Sequence, residues 1–304
     1  MGRIQDPDAP NEVLGYFESW ADYVAFAAKP KAERGSGSGM NDPDRTFYGI
    51  NVETGRPAPC TFAEAQRLSL EGWREGRAKI REAHEVVYRG ALHSLGTVSM
   101  PVMGTDLVGM LPSVPAYLSG DPAAMLTWQE TSAPRPVIQI VIQMTYSAGT
   151  TAQQVYRRGA AICALVDLME QRGARVEIVG ALSNRGSNRG ERDRHLDMHV
   201  TVKRPDQPLD LDLIAFVFAH PASFRRIGFA AEEQICTTAE QDIFGITSGT
   251  YGRAADSKEH RRGDLYMPTL DRSAGDFFDD AATEAWLIRV LREQGLEVPD
   301  ALAS

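Results

Sequence analysis

The chain has 304 residues, 43% of them apolar and 24% charged, and carries a formal net charge of −9. That composition supplies a sizeable core for one large domain or for a core domain with additions. The acidic balance excludes nucleic acid as the default partner while leaving room for local basic patches. Cys60, Cys163 and Cys236 lie far apart with no CxxC spacing, which excludes a disulfide framework and suits free thiols in a reducing cytoplasm. There is no run of about 18 apolar residues, so no membrane span is expected. The opening residues, MGRIQDPDAPNE, lack the apolar stretch of a secretory signal.

In chain order, residues 1–60 read as a peripheral N-terminal segment. YFESWADYVAFAA places Phe17, Trp20, Val24 and Ala27 at helical spacing, which predicts a short helix. RGSGSGMNDPD, from Arg34, is a flexible Gly/Ser stretch, either a native loop or an engineered linker at residues 34–40. Residues 61–135 read as a helix followed by an irregular excursion packed on the core. Thr61 with Glu64 three residues later is a capping-box pattern. Phe62, Ala65, Leu68 and Leu70 offer an apolar face, and Gly72 and Gly76 predict a kink near Trp73. Residues 89–135, rich in Gly, Pro and Met, keep no long period but many apolar side chains.

Residues 136–304 carry the clearest unit. PVIQIVIQM alternates, with Ile138, Ile140, Ile142 and Met144 on one face and Val137 and Val141 on the other, as in a strand inside a parallel sheet. The stretch from Thr151 to Gly173 has Val155, Ile162, Leu165, Val166 and Met169 at helical spacing, and Gly173 suits a left-handed cap. ARVEIVGAL then reads as a strand. Together these predict a right-handed βαβ unit, with strands 137–144 and 175–182 parallel and helix 152–172 crossing between them. RHLDMHVTVKRP reads as a further strand, and DLDLIAFVFAHPASFRRIGF is helical with a break at Pro221. DAATEAWLIRVLREQG is a last amphipathic helix before Gly295. The expected fold is α/β: a parallel-rich sheet flanked by helices, with N- and C-terminal helical additions.

RRGAAICALVDLMEQRGARVEIVGAL resembles the first helix and second strand of von Willebrand A-type domains, most closely those of cobalt-chelatase-like subunits. In that family the first strand ends in Asp-x-Ser-x-Ser, which holds a divalent cation. Here Gln143, Thr145 and Ser147 fill those places. The resemblance therefore implies a degenerate metal motif at Thr145 and Ser147: a hard cation such as Mg²⁺ wants charged oxygen, and Gln143 supplies none. No cofactor is expected, with Mg²⁺ as the one alternative. A broader stretch, including DLVGMLPSVPAYLSGDPAAM and GDLYMPTL, resembles an uncharacterised protein family of actinobacterial phages and prophages, and implies no activity.

Two further patterns offer chemistry. Asp193, His195, Asp197 and His199 recur at period two, suiting either metal ligation or the wet face of a half-buried strand. SNRGSNRGERDR places Arg185, Arg189, Arg192 and Arg194 in a Gly-rich loop between two strands, a contact arm or a solvated hairpin loop. There is no P-loop, dinucleotide-binding glycine pattern, nucleophile elbow or HExxH. Cys163 reads as core and His220 as a helix-start or packing residue. The expected function is a non-enzymatic, phage-encoded protein-interaction module of the host cytoplasm, acting in an assembly or as a host-directed binding factor. The first alternative is a nucleic-acid-associated protein using the arginine loop. The second is a metal-dependent enzyme using the Asp/His strand.

Overall fold

The computed structural model describes residues 3–4, 12–30, 49–51, 53–54, 56–78, 80–81, 102–129, 137–147, 149–171, 173–186, 194–247, 253–270, 275–277 and 279–293. The strands are β1 (Arg3–Ile4), β2 (Glu12–Phe17), β3 (Gly49–Ile50), β4 (Pro57–Ala58), β5 (Val102–Asp106), β6 (Leu111–Pro112), β7 (Met125–Gln129), β8 (Val137–Gln143), β9 (Arg175–Gly186), β10 (Arg194–Lys203), β11 (Arg253–Ala254) and β12 (Leu265–Met267). The helices are α1 (Trp20–Ala27), α2 (Phe62–Glu71), α3 (Val114–Leu118), α4 (Ala152–Gln171), α5 (Leu211–Ala219), α6 (Phe229–Ile235), α7 (Thr238–Ile243) and α8 (Asp280–Glu293). The result is a mixed α/β structure whose central sheet is largely parallel and flanked by helices, in the order β1-β2-β10-β9-β8-β12 with β11 beside β9.

The βαβ unit forms as the periodicity predicts. β8 and β9 pair in parallel, Ile140 opposite Ile178, and α4 crosses between them. Gly173, at φ +87°, takes the left-handed turn after α4 that a Cβ would strain. β12 adds a second parallel neighbour to β8. β9 and β10 form a long antiparallel hairpin, Leu182 opposite Met198.

The N-terminal segment is not peripheral. β2 lies parallel to β10 inside the central sheet, with Val13 and Phe17 buried, so Phe17 belongs to a strand and not to the helix that its spacing suggests. Helix α1 begins only at Trp20, where the Ser19 side chain accepts the Asp22 N–H at 3.1 Å. Trp20, Tyr23, Val24 and Ala27 then join the main core.

Helix α2 is shorter than its pattern. Gly72, at φ +81°, ends it, and Trp73 drops into the core before residues 74–78 turn helical again, so the predicted kink is a break. Half of the capping box is present: Thr61 Oγ1 accepts the Glu64 N–H at 3.1 Å, while the Glu64 carboxylate turns to Arg67. Leu70 is exposed because it sits about 200° around the helix from Leu68, and Ser69 is buried in its stead.

The two faces of the sheet differ in chemistry. Ile140, Ile142, Val176, Ile178, Leu182, Leu196, Met198 and Val200 share one core with α1, α4, α5 and α8. On the other face Val141, Val179 and Ala181 form a small apolar cluster, with Tyr266 against it. Around that cluster the inward side chains are polar, and residues 253–267 contribute the groups that bond to them.

Candidate functional site

The alternating strand β10 supplies the centre of this polar face. Leu196, Met198 and Val200 point to the core, while Asp197 and His199 point to the other side. That second side is not the wet face that its alternation suggests. Asp197 has no exposure and His199 only 6%, because Ser257 and Arg261 stand over Asp197 and the Tyr16 ring stacks on His199.

Asp197 Oδ1 accepts hydrogen bonds from Ser183 Oγ (2.6 Å) and Ser257 Oγ (2.9 Å) and lies 3.1 Å from His199 Nε2. Its Oδ2 takes Arg261 Nη1 at 3.2 Å, and Arg261 Nη2 reaches Glu12 of β2 at 2.7 Å. Burial alone would push the Asp197 carboxyl upward, but His199 and the two serine hydroxyls outweigh it and hold the group well below the usual carboxylate range. The guanidinium of Arg261 is likewise disfavoured by burial and restored by Glu12 and Asp197. These bonds tie β2, β9, β10 and the 253–267 segment together. A buried charge left without its partner costs about 3–5 kcal/mol, so the cluster acts as one unit.

The residues in the place of the metal motif lie at one end of this cluster. Gln143 and Thr145 have no exposure. The Gln143 amide lies 2.6 Å from Ser183 Oγ and 2.8 Å from Ser257 Oγ. With its oxygen on that side it accepts the Ser257 N–H at 3.0 Å, and its nitrogen gives to the Ala181 carbonyl at 3.0 Å. The opposite orientation sets amide oxygen against carbonyl oxygen, so the first is preferred. Thr145 Oγ1 is 3.2 Å from Thr269 Oγ1, and Ser147 Oγ is 3.2 Å from Thr150 Oγ1. Asp256, on the covering segment, accepts the Thr269 N–H (2.7 Å) and the Tyr266 hydroxyl (3.1 Å). The hydroxyls of the motif are thus bonded to other protein groups. No group of three or more His, Cys, Asp or Glu among the described residues is placed to hold a metal ion.

Ser257, His199 and Asp197 resemble a nucleophilic relay but lack its geometry. A relay needs the carboxylate and the hydroxyl on opposite ring nitrogens. Here Asp197 Oδ1 and Ser257 Oγ (3.4 Å) both address Nε2, and Ser257 is buried.

The two arginines of the loop that are described differ in setting. Arg185 is exposed near the end of β9, opposite His195 on one side and Arg253 on the other. Arg194 opens β10 and pairs with the buried Glu240 at 3.0 Å. Asp193, Arg189 and Arg192 lie outside the described residues. His195, beside them, has its imidazole pushed toward the neutral form by burial.

A second feature escaped sequence reasoning. The described part of the excursion, residues 102–129, is a small antiparallel sheet, with β5 and β6 flanking β7 and helix α3 between β6 and β7. Gly109 permits this turn, since a Cβ there would stand 2.3 Å from the Leu126 carbonyl oxygen. Seven of its apolar side chains do not cover the core: Leu107, Val108, Met110, Leu111, Val114, Tyr117 and Leu118 are 61–81% exposed. The signal was present as apolar residues in a stretch with neither helical nor strand period.

One family model matches residues 4–298. The chain belongs to DUF7192, a domain of unknown function. The DUF7192 match runs through the N-terminal strand, the small sheet and the α/β core alike, which agrees with β2 sitting inside the central sheet. No curated protein and no solved structure matches this DUF7192 chain. Among its described residues, no helix is long and apolar enough to cross a membrane.

Proposed function

We propose that the protein is a non-enzymatic interaction module that binds a protein partner through residues 107–118. One observation carries the reading: seven large apolar side chains in a twelve-residue stretch are 61–81% exposed, while the core of the same chain is closely buried. Single exposed apolar residues are ordinary, but their concentration on one small element marks a docking surface. Each such side chain contributes about 1.5–3 kcal/mol when fully covered.

The core is read as a degenerate von Willebrand A-like unit that serves as the frame. The β8–α4–β9 crossover and the hydroxyls of Thr145 and Ser147 at the strand end support this reading. Gln143 stands where a carboxylate would hold a cation, so the module works without metal. The sequence resemblance to a prophage family supports a phage origin, and three buried free thiols support a reducing cytoplasm.

The test is photo-crosslinking in expressing cells with benzoylphenylalanine at Tyr117 or Leu118, and at Leu70 as an exposed apolar control on α2. Discrete heavier adducts are expected from the first two positions, and their loss when Leu111 and Val114 are changed to Ser. Adducts that appear equally from Leu70, or none from residues 117 and 118, defeat the reading. Mg²⁺ should leave the melting temperature unchanged, whereas a site filled a hundredfold above its Kd would add about 2.7 kcal/mol. A rise abolished by Ser147→Ala would restore the metal.

A further inference from the structure

A cleft of about 450 Å³ opens on the polar face of the sheet, within the size range of small-molecule sites. Gln139, Glu177, Val179, His199 and Thr201 of β8, β9 and β10 line it, Tyr16 of β2 forms one side, and Glu259, His260, Arg261 and Gly263 form the other. It adjoins the buried Asp197 cluster through His199 and Arg261. None of its lining residues belongs to the stretch proposed above as the docking surface.

Three properties of the cleft define what it accepts. The first is an unused ring nitrogen. His199 is 6% exposed, and Asp197 occupies its Nε2. No described residue bonds to its other ring nitrogen, Nδ1. A side chain this buried, with one nitrogen anchored and the other bonded to no described residue, leaves a polar edge for a ligand to meet. The second property is charge. Glu177, of which Gln139 Nε2 satisfies one oxygen at 2.8 Å, and Glu259 both line the cleft. The cation on the rim, Arg261, is spent on Asp197 and Glu12, and Lys258 also turns to Glu12 at 3.6 Å. Four carboxylates thus face two cations, which leaves the site acidic. The third is a flat aromatic surface: the Tyr16 ring stacks on His199 with centroids 5.5 Å apart and an interplanar angle of 29°.

We propose that this cleft binds a guanidinium group, which lies against the Tyr16–His199 surface and gives its N–H bonds to the carboxylates of Glu177 and Glu259. A guanidinium is planar, permanently charged and a donor only, so it matches an acidic, acceptor-lined and aromatic site better than a compact ammonium does. An anion would meet Glu177 and Glu259. The group belongs either to a free small molecule or to an arginine side chain of a peptide, and the same chemistry recognises both.

The experiment is calorimetric titration of the full chain at low salt with two guanidinium probes, agmatine and a doubly capped Gly-Arg-Gly tripeptide. The controls are the citrulline tripeptide, the lysine tripeptide and adenosine monophosphate. At least one guanidinium probe is expected to bind, about tenfold or more tighter than its citrulline or lysine counterpart, which is the usual size of one charge-assisted contact. Agmatine alone binding identifies a free metabolite as the source; the tripeptide binding as well or better identifies a protein's arginine. Glu177→Gln should weaken binding about tenfold at an unchanged melting temperature. Glu259→Gln, on an exposed residue, gives a second reading of the same charge if Glu177→Gln does not fold. Equal binding of citrulline or lysine, preference for the nucleotide, no binding of either guanidinium probe, or binding untouched in the folded variants would each overturn the proposal.

Discussion

Glu232 has no exposure, and its Oε1 accepts from Asn184 Nδ2 while its Oε2 has no partner among the described residues. Burial, reinforced by the neighbouring Glu233 and only partly offset by the Asn184 bond, pushes its carboxyl well above the ordinary value. The folded chain therefore keeps a proton there that the unfolded chain releases above about pH 4.5. The stability it contributes is whole below that pH and is lost as pH rises toward the folded value, with a slope of at most about 1.4 kcal/mol per pH unit. Glu232→Gln keeps the shape and the Asn184 bond and removes the titration. Its stability relative to the parent chain should grow from pH 5 to pH 8, as read by urea denaturation at each pH; a difference that stays flat would show that Glu232 ionises normally. His220 works with the opposite sign. Burial lowers its imidazole to about 3, and the neutral ring accepts the Ala222 N–H at 3.1 Å, so its contribution is whole above pH 6.5 and lost in acid. Its packing role was legible from its place before Pro221, whereas the protonation of Glu232 was not: it depends on which strand and helix come to face each other.

At the scale of elements, α4 and α5 cross closely because Gly159 leaves room. A Cβ at Gly159 would stand 2.3 Å from the Ala219 Cβ, inside any real contact. Gly159→Ala should therefore cost about 1–3 kcal/mol, although alanine is the better helix former by about 1 kcal/mol. An unchanged or raised denaturation midpoint would show that the helices separate freely. The periodic elements were legible in the sequence: β8, α4, β9, β10, the break at Pro221 and helix α8 all stand where spacing puts them. What spacing could not supply was partnership. The alternation in β10 correctly predicted a strand but not that Asp197 and His199 would lie under Ser257 and Arg261, some 60 residues later in the chain. Nor did it predict that β2 would fill the place beside β10, since a six-residue strand holding Gly15 and followed at once by a helix shows little period of its own. Thr145 and Ser147 were found as a motif, yet their bonding depends on Thr269 and Thr150.

For the molecule as a whole, the two segments outside the βαβ unit have opposite standing, and two deletions separate them. Val13, Phe17, Trp20, Tyr23 and Val24 are each at most 4% exposed and bury their side chains against the sheet and α6. At about 1.5–3 kcal/mol each, these five side chains together contribute on the order of 10 kcal/mol. That rivals the whole net stability of a typical domain, about 5–15 kcal/mol. Removing residues 1–30 also uncovers one edge of β10 and leaves Arg261 without Glu12. The shortened chain should lose its cooperative melting transition and bind apolar dyes. The small sheet is different. Val102 pairs with Gln129, so its two ends lie side by side and a short Gly/Ser linker can join them. Its exposed side chains contribute little to the core, so replacing residues 102–129 by that linker should leave the melting temperature within a few degrees of the parent, the shift that about 1 kcal/mol produces in a chain of this size. The same replacement should abolish the crosslinked adduct. A linker variant that unfolds would make residues 107–118 part of the folding core, and a folded N-terminal truncation would make β2 an ornament of the sheet rather than one of its members.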